Sequence, residues 1–148
     1  AFNLGVLLLR DHDLAGAEAA FRRADERGHA GASANLGVLL EERGELAGAR
    51  AAYERADQRG EAVGAFNLGL LLEQEGSFER AKRAYRRAEE RGEPAGAYKL
   101  GLLLKQEGDS EGALRALQRA GQDGPREVAE FAHAAMRELR TEHEEPDR

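Results

Sequence analysis

Asn3, Asn35 and Asn67 stand 32 residues apart, and Lys99 holds the next place in the same column. An asparagine amide both donates and accepts hydrogen bonds. It can therefore bond the backbone of an extended peptide without reading its side chains. Repeated at a fixed interval, it makes a ladder for main chain, with a cation on the fourth rung. The same amides could instead bond neighbouring helices. Two apolar columns run beside the ladder: Phe2, Ala34, Phe66, Tyr98 and Val6, Val38, Leu70, Leu102. A polar lip follows, with Arg10, Glu41, Glu42, Glu73, Gln74, Lys105 and Gln106. With about 100° per helical residue, Val63, Phe66, Asn67, Leu70, Glu73 and Gln74 share one arc. Ala65, Leu68, Gly69 and Leu72 point the other way. The apolar columns could take ligand side chains or simply pack between adjacent helices.

Other chemistry finds little support. His12, His29, His133 and His143 are scattered, without the i, i+4 spacing of a metal pair. His12 and His29 fall in a turn and a junction and are expected to face solvent. Ser33, Ser77, Ser110 and Thr141 have no base nearby in sequence. Gly28–Gly31 follows a helix, not a strand, so it is no phosphate loop. Cysteine is absent, which excludes disulfides and thiolate metal sites. The expectation is no catalytic residue, no metal, no cofactor and no enzyme. Arg23, Arg55, Arg87 and Arg119, with Arg27, Arg59 and Arg91 one turn on, suggest nucleic acid when taken alone. Asp25, Glu26, Glu54, Asp57, Glu89 and Glu90 interleave with them, so a solvated, salt-bridged face is expected. The net charge of −6 also argues against phosphate binding.

The elements that position these columns repeat as well. Gly5, Gly37, Gly69 and Gly101 share the 32-residue interval, as do Ala17, Ala49, Ala81, Ala113 and Phe21, Tyr53, Tyr85, Leu117. Two further columns are Ala24, Ala56, Ala88, Ala120 and Gly28, Gly60, Gly92, Gly124. A fixed period of this length means a repeat array. Gly44, Gly76 and Gly108 end a first helix in each copy, with His12 in the first copy. Asp13, Glu45, Ser77 and Asp109 stand at the cap of a second helix. On the second helix of the third copy, Phe78, Ala81, Ala84, Tyr85 and Ala88 share one face. Gly69 and Ala81 are expected to let two backbones approach, with Tyr85 and Leu72 beside them. Helices are predicted near 1–11, 14–27, 30–43, 46–59, 62–75, 78–91, 94–107, 110–122 and 125–140, with no strand.

The spacing from Gly5 to Ala17, Phe21 and Ala24, and its equivalents, resembles the tetratricopeptide repeat. Ala1, Ser33, Ala65 and Ala97 replace the large aromatic that opens that pattern. The runs RADQRGEAVGAFNLG and RAEERGEPAGAYKLG resemble the junctions of Sel-like repeats. The resemblance implies an all-α, right-handed α-solenoid of four helical hairpins and a C-terminal capping helix. It also implies that the first helices line a concave groove binding a protein or peptide segment. The implied groove residues are Asn3, Asn35, Asn67, Lys99, Phe2, Phe66, Tyr98, Leu70, Glu42, Gln74, Lys105 and Gln106. A ligand carboxylate is expected near Lys99 and Lys105, and basic side chains near Glu41, Glu42 and Glu73. The other role considered is an architectural spacer or self-assembly module within a larger bacterial protein.

The domain is expected over 1–140, with copies at about 1–29, 30–61, 62–93 and 94–124 and a cap at 125–140. In the cap, Val128, Phe131, Ala132, Ala135, Met136 and Leu139 form the apolar stripe, and His133 should block a further helix. Residues 141–148 read as a frayed acidic tail. Arginine outnumbers lysine 19 to 3, which points to a GC-rich bacterial genome. No apolar run is long enough to span a membrane, and a cytoplasmic location is expected, with an upstream signal peptide left open. Ala1 lies several residues into a copy. Leu4, Leu7 and Leu8 thus lack a capping repeat in front, so this end is expected to self-associate or to be covered by preceding residues.

Overall fold

Small residues at fixed places decide how this chain folds up. A computed structural model describes residues 1–144. Among them are nine helices and no strand. The hairpins are α1 (Phe2–Arg10) with α2 (Leu14–Glu26), and α3 (Ala30–Glu42) with α4 (Leu46–Gln58). They continue with α5 (Ala62–Gln74) and α6 (Phe78–Glu90), then α7 (Ala95–Gln106) and α8 (Ser110–Asp123). A ninth helix, α9 (Arg126–Glu144), closes the row. Each helix packs on its neighbours in the chain. First helices also meet directly, α3 with α5 and α7 with α9, an approach no pair of second helices equals among the described residues. The stack therefore curves with the first helices on its inner side.

Within each hairpin the column glycine lies under the bulky residue of the second helix. A Cβ on Gly69 would stand 2.5 Å from the Tyr85 ring, and one on Gly5 2.6 Å from Phe21. Gly101 lies the same way against Leu117. So the glycine makes room for an aromatic ring more than for a bare backbone. That contact offsets the roughly 1 kcal/mol a glycine costs inside a helix. Phe21, Tyr53, Tyr85 and Leu117 are fully buried, as are the alanines at 17, 49, 81 and 113.

Some local expectations hold and others are corrected. Gly44, Gly76 and Gly108 take positive φ at the hairpin turns, and His12 adopts φ 60° in the same place. Gly124 does not follow Gly28, Gly60 and Gly92 into that region. Its ψ of 156° is extended, because Pro125 bars the helical region to the residue before it. Asp13 and Asp109 cap their helices by accepting from Gly16 and Gly112 N–H. Ser77 makes no such bond. Phe78, read on one face with Ala81, Ala84, Tyr85 and Ala88, is exposed where those four are buried. Helix α9 runs on through 141–144, where a frayed tail was expected; the rest of that tail, 145–148, lies outside the described residues.

Candidate functional site

The inner wall is built from one face of α1, α3, α5 and α7. Asn3 is exposed, and Asn35, Asn67 and Lys99 are half-buried. Among the described residues, none of the three asparagine side chains makes a hydrogen bond within the protein. Nor does any of their polar atoms lie buried without a partner. The amides are thus accessible and unbonded. The alternative, that they tie neighbouring helices together, has no bond to support it.

The apolar residues of the wall divide. Phe2 stacks on His29 with ring centres 4.2 Å apart, at the edge of Phe21. His29 also caps α3 by accepting from Ala32 N–H. Phe66 leans on Tyr85, and Tyr98 on Phe131 of α9. Leu70 is partly buried against the main core, and Leu102 against the core beneath α9. Val6 and Val38 of the same column stay open, 44% and 37% exposed. The apolar strip is therefore widest at the front of the array and is taken up by packing at its rear.

Charges on the lip are largely spoken for. The Tyr53 hydroxyl donates to Glu41 at 2.7 Å, and Tyr85 makes the matching bond to Glu73. Burial, then the bond to the carboxylate, pushes both phenols far above their ordinary value, so they remain donors. Lys99 reaches back to Glu73 at 3.0 Å and lies over the Tyr85 ring. Lys105 pairs with Glu138 and Glu142 of α9. Neither lysine is the free cation expected for a ligand carboxylate. Glu42, Gln74 and Gln106 are exposed, and among the described residues their side chains form no bond.

The second helices hold a feature that sequence reasoning missed. Asp25 at the end of α2 is buried and accepts two-pronged bonds from Arg55 of α4, the shortest at 2.6 Å. Arg59 and the Ser33 hydroxyl complete its shell. Asp57 meets Arg87 of α6 and Arg91 just past its end in the same geometry. Glu89 meets Arg119 of α8. Burial would raise the Asp25 carboxyl, but bonds from Arg55, Ser33 and Arg59 outweigh it and hold it at about 2. Against the same opposing burial, Arg87 and Arg91 hold Asp57 below the usual carboxylate range. A second set crosses each junction nearer the hairpin turns: Glu18 with Arg43, Arg50 with Glu75, Lys82 with Glu107. The signal was present as carboxylates followed at fixed offsets by arginines. It was masked because the same residues also alternate along one helix. Where α8 would carry the next carboxylate stands Gly121, with His133 of α9 directly over it.

Among the described residues, no group of histidine, aspartate and glutamate could hold a metal ion. None of the helices is long and apolar enough to cross a membrane.

A family model described as Tetratricopeptide repeat matches residues 2–62 and 66–127. No curated protein matches the chain. Among solved structures, it is similar to a tetratricopeptide repeat protein from Parabacteroides merdae. The TM-score there is 0.71 at 20% identity, covering 95% of this chain and 59% of that one. It is also similar to the C-terminal part of a TPR repeat-containing protein from Cytophaga hutchinsonii, at 0.60 and 15%, covering 81% and 50%. MamA matches at 0.66 and 17%, with 95% of both chains covered. At these identities the likeness concerns the fold. The chain spans about half to three-fifths of the first two relatives.

Proposed function

The chain belongs to the tetratricopeptide repeat family, and we propose that it is a non-catalytic scaffold holding an extended protein segment along its first-helix wall. Such repeats generally mediate contacts between proteins and are generally not enzymes. The observation that carries the finer reading is the set of unbonded amides at Asn3, Asn35 and Asn67. They offer donors and acceptors at a regular spacing to a peptide backbone. Val6 and Val38 give its side chains an open apolar strip beside the ladder. Phe66, Tyr98 and Leu70 form the firmer floor further along. Rigid hairpins hold these groups in place, so the receptor loses little freedom on binding.

With Lys99 and Lys105 already paired, a ligand carboxylate would have to displace Glu73 or Glu138 to reach them. The open charges on the lip among the described residues are Arg10 at its front and Glu42 further along. The segment that fits best therefore carries a cationic side chain opposite Glu42. Peptides selected by display on the whole chain supply the probe. In fluorescence titration, Asn35→Ala with Asn67→Ala should weaken the selected peptide several-fold or more, since each bond is worth about 0.5–1.5 kcal/mol net. Lys99→Glu should leave it bound. Equal binding by the wild type and the double variant would remove the ladder and favour a purely architectural array.

A further inference from the structure

One second helix is charged unlike the others. Helix α6 carries five bases and three acids between Phe78 and Glu90, whereas in α2, α4 and α8 the bases never outnumber the acids. The excess enters at two places. Arg80 stands where the other second helices have Gly16, Gly48 and Gly112. Arg83 stands where α2 and α4 have Ala19 and Ala51. Neither base is needed for the stack. Arg80 lies 3.6 Å from Glu54, a loose pair. Arg83 and Arg86 form no ion pair among the described residues. Glu79, one turn before Arg83, is taken by Lys82 at 2.6 Å. At the equivalent place on α8, Arg115 does hold its acid, Glu111.

The geometry gathers these bases. With about 100° per residue, Arg80, Arg83, Arg86 and Arg87 share one arc of α6. From 80 to 86 every exposed residue is an arginine. A cleft of about 240 Å³ opens beside them toward α4, with Arg80, Arg83 and Arg87 on one wall and Glu54 and Gln58 on the other. The rise per residue makes the patch about 10 Å long. That length selects what fits. Glu79 and Glu90 bound the patch along the helix, Glu54 bounds it across the cleft, and the whole chain carries −6. A nucleic-acid strand, charged along its whole length, would run from the patch into those acids. A short run of carboxylates would not. In an extended segment every second side chain faces the same way, about 7 Å apart. Two acids with one residue between them therefore fit within the patch.

We infer that the middle of α6 docks an acidic protein segment, with carboxylates over Arg83 and Arg86 and Arg80 adding a cation at the mouth of the cleft. The surface belongs to the second-helix wall and does not rest on the asparagine ladder. The probe is a ten-residue peptide that alternates glutamate with serine and carries a fluorescein label. It is titrated by fluorescence anisotropy against the whole chain at about 50 mM salt. Saturable binding is expected, weakening at about 300 mM. Arg83→Ala with Arg86→Ala should weaken it about tenfold or more. Arg83→Lys with Arg86→Lys keeps the charge and should retain most of the binding. Arg22→Ala with Arg115→Ala removes the same charge from α2 and α8 and should leave binding within about twofold. Asn35→Ala with Asn67→Ala should change nothing here. No binding at the lower salt, equal loss in the two arginine-to-alanine pairs, or loss in the asparagine variant overturns the inference. So does an oligothymidine of the same length that binds more tightly than the peptide and depends on Arg83 and Arg86, since a nucleic acid would then own the face.

Discussion

The two walls of the array treat polar groups in opposite ways. On the second helices, two junctions place a carboxylate between two arginines of the next copy and a third pairs Glu89 with Arg119, and Asp25 and Asp57 are nearly out of water. On the first helices, Asn3, Asn35 and Asn67 sit at the same interval and bond nothing inside the protein. A repeated polar residue is therefore no guide to its role by itself. Its partners decide. Where they come from the next copy, the group holds the stack together; where they are missing, the group is left for something else.

The largest effect should come from beneath both walls. Tyr85 is fully buried and lies against Gly69. Tyr85→Ala should cost about 3–5 kcal/mol, the usual range for emptying an aromatic site. A urea titration followed by circular dichroism reads it. A loss below about 1 kcal/mol would mean that the walls do not share this core. Next comes Asp57→Ala, which leaves Arg87 and Arg91 without their partner. Those arginines are partly exposed, so water softens the loss, and about 1–3 kcal/mol is expected.

The third prediction uses pH. Asp25 has a folded pKa of about 2, below the unfolded value of about 3.9. A lowered carboxylate pKa adds stability that is complete above the unfolded value and lost as pH falls through the folded one. Urea midpoints should thus drop between about pH 4 and pH 2, and Asp25→Asn should flatten that drop. An unchanged slope would remove Asp25 from the stack's support. The smallest effect completes the contrast. Asn67→Ala should alter stability by less than about 0.5 kcal/mol, because its amide supports nothing. A loss near that of Asp57→Ala would erase the difference between the walls.

Much of the fold could be read from spacing. Glycine, alanine and aromatic columns at one interval imply hairpins, and the ends of α1 to α8 fall within a residue or two of expectation because Gly44, Gly76 and Gly108 turn the chain, whereas α9 runs four residues beyond its expected end. The inner-wall columns were legible for the same reason. What stayed hidden depends on which helix lies opposite. Spacing along one helix puts Arg55 beside Glu54 and Asp57, whereas in space it meets Asp25 of the previous copy. Lys99 looks like a free rung until Glu73 is found within reach. Ser77 has the right type for a cap, but its hydroxyl makes no cap bond. Phe78 has the right type for core but sits at the first turn of its helix, beyond the cover of its neighbours.

Because each helix packs mainly on its neighbours in the chain, protection from solvent is passed along the row like a relay. The rear of the row ends in α9, whose Ala132, Ala135 and Leu139 are buried. The front ends in α1, where Gly5 alone is buried. Opening events should therefore begin at α1 and travel rearward, since a linear array can lose its outermost unit without the rest. Amide hydrogens should then exchange faster in α1 than in α3, and faster in α3 than in α5.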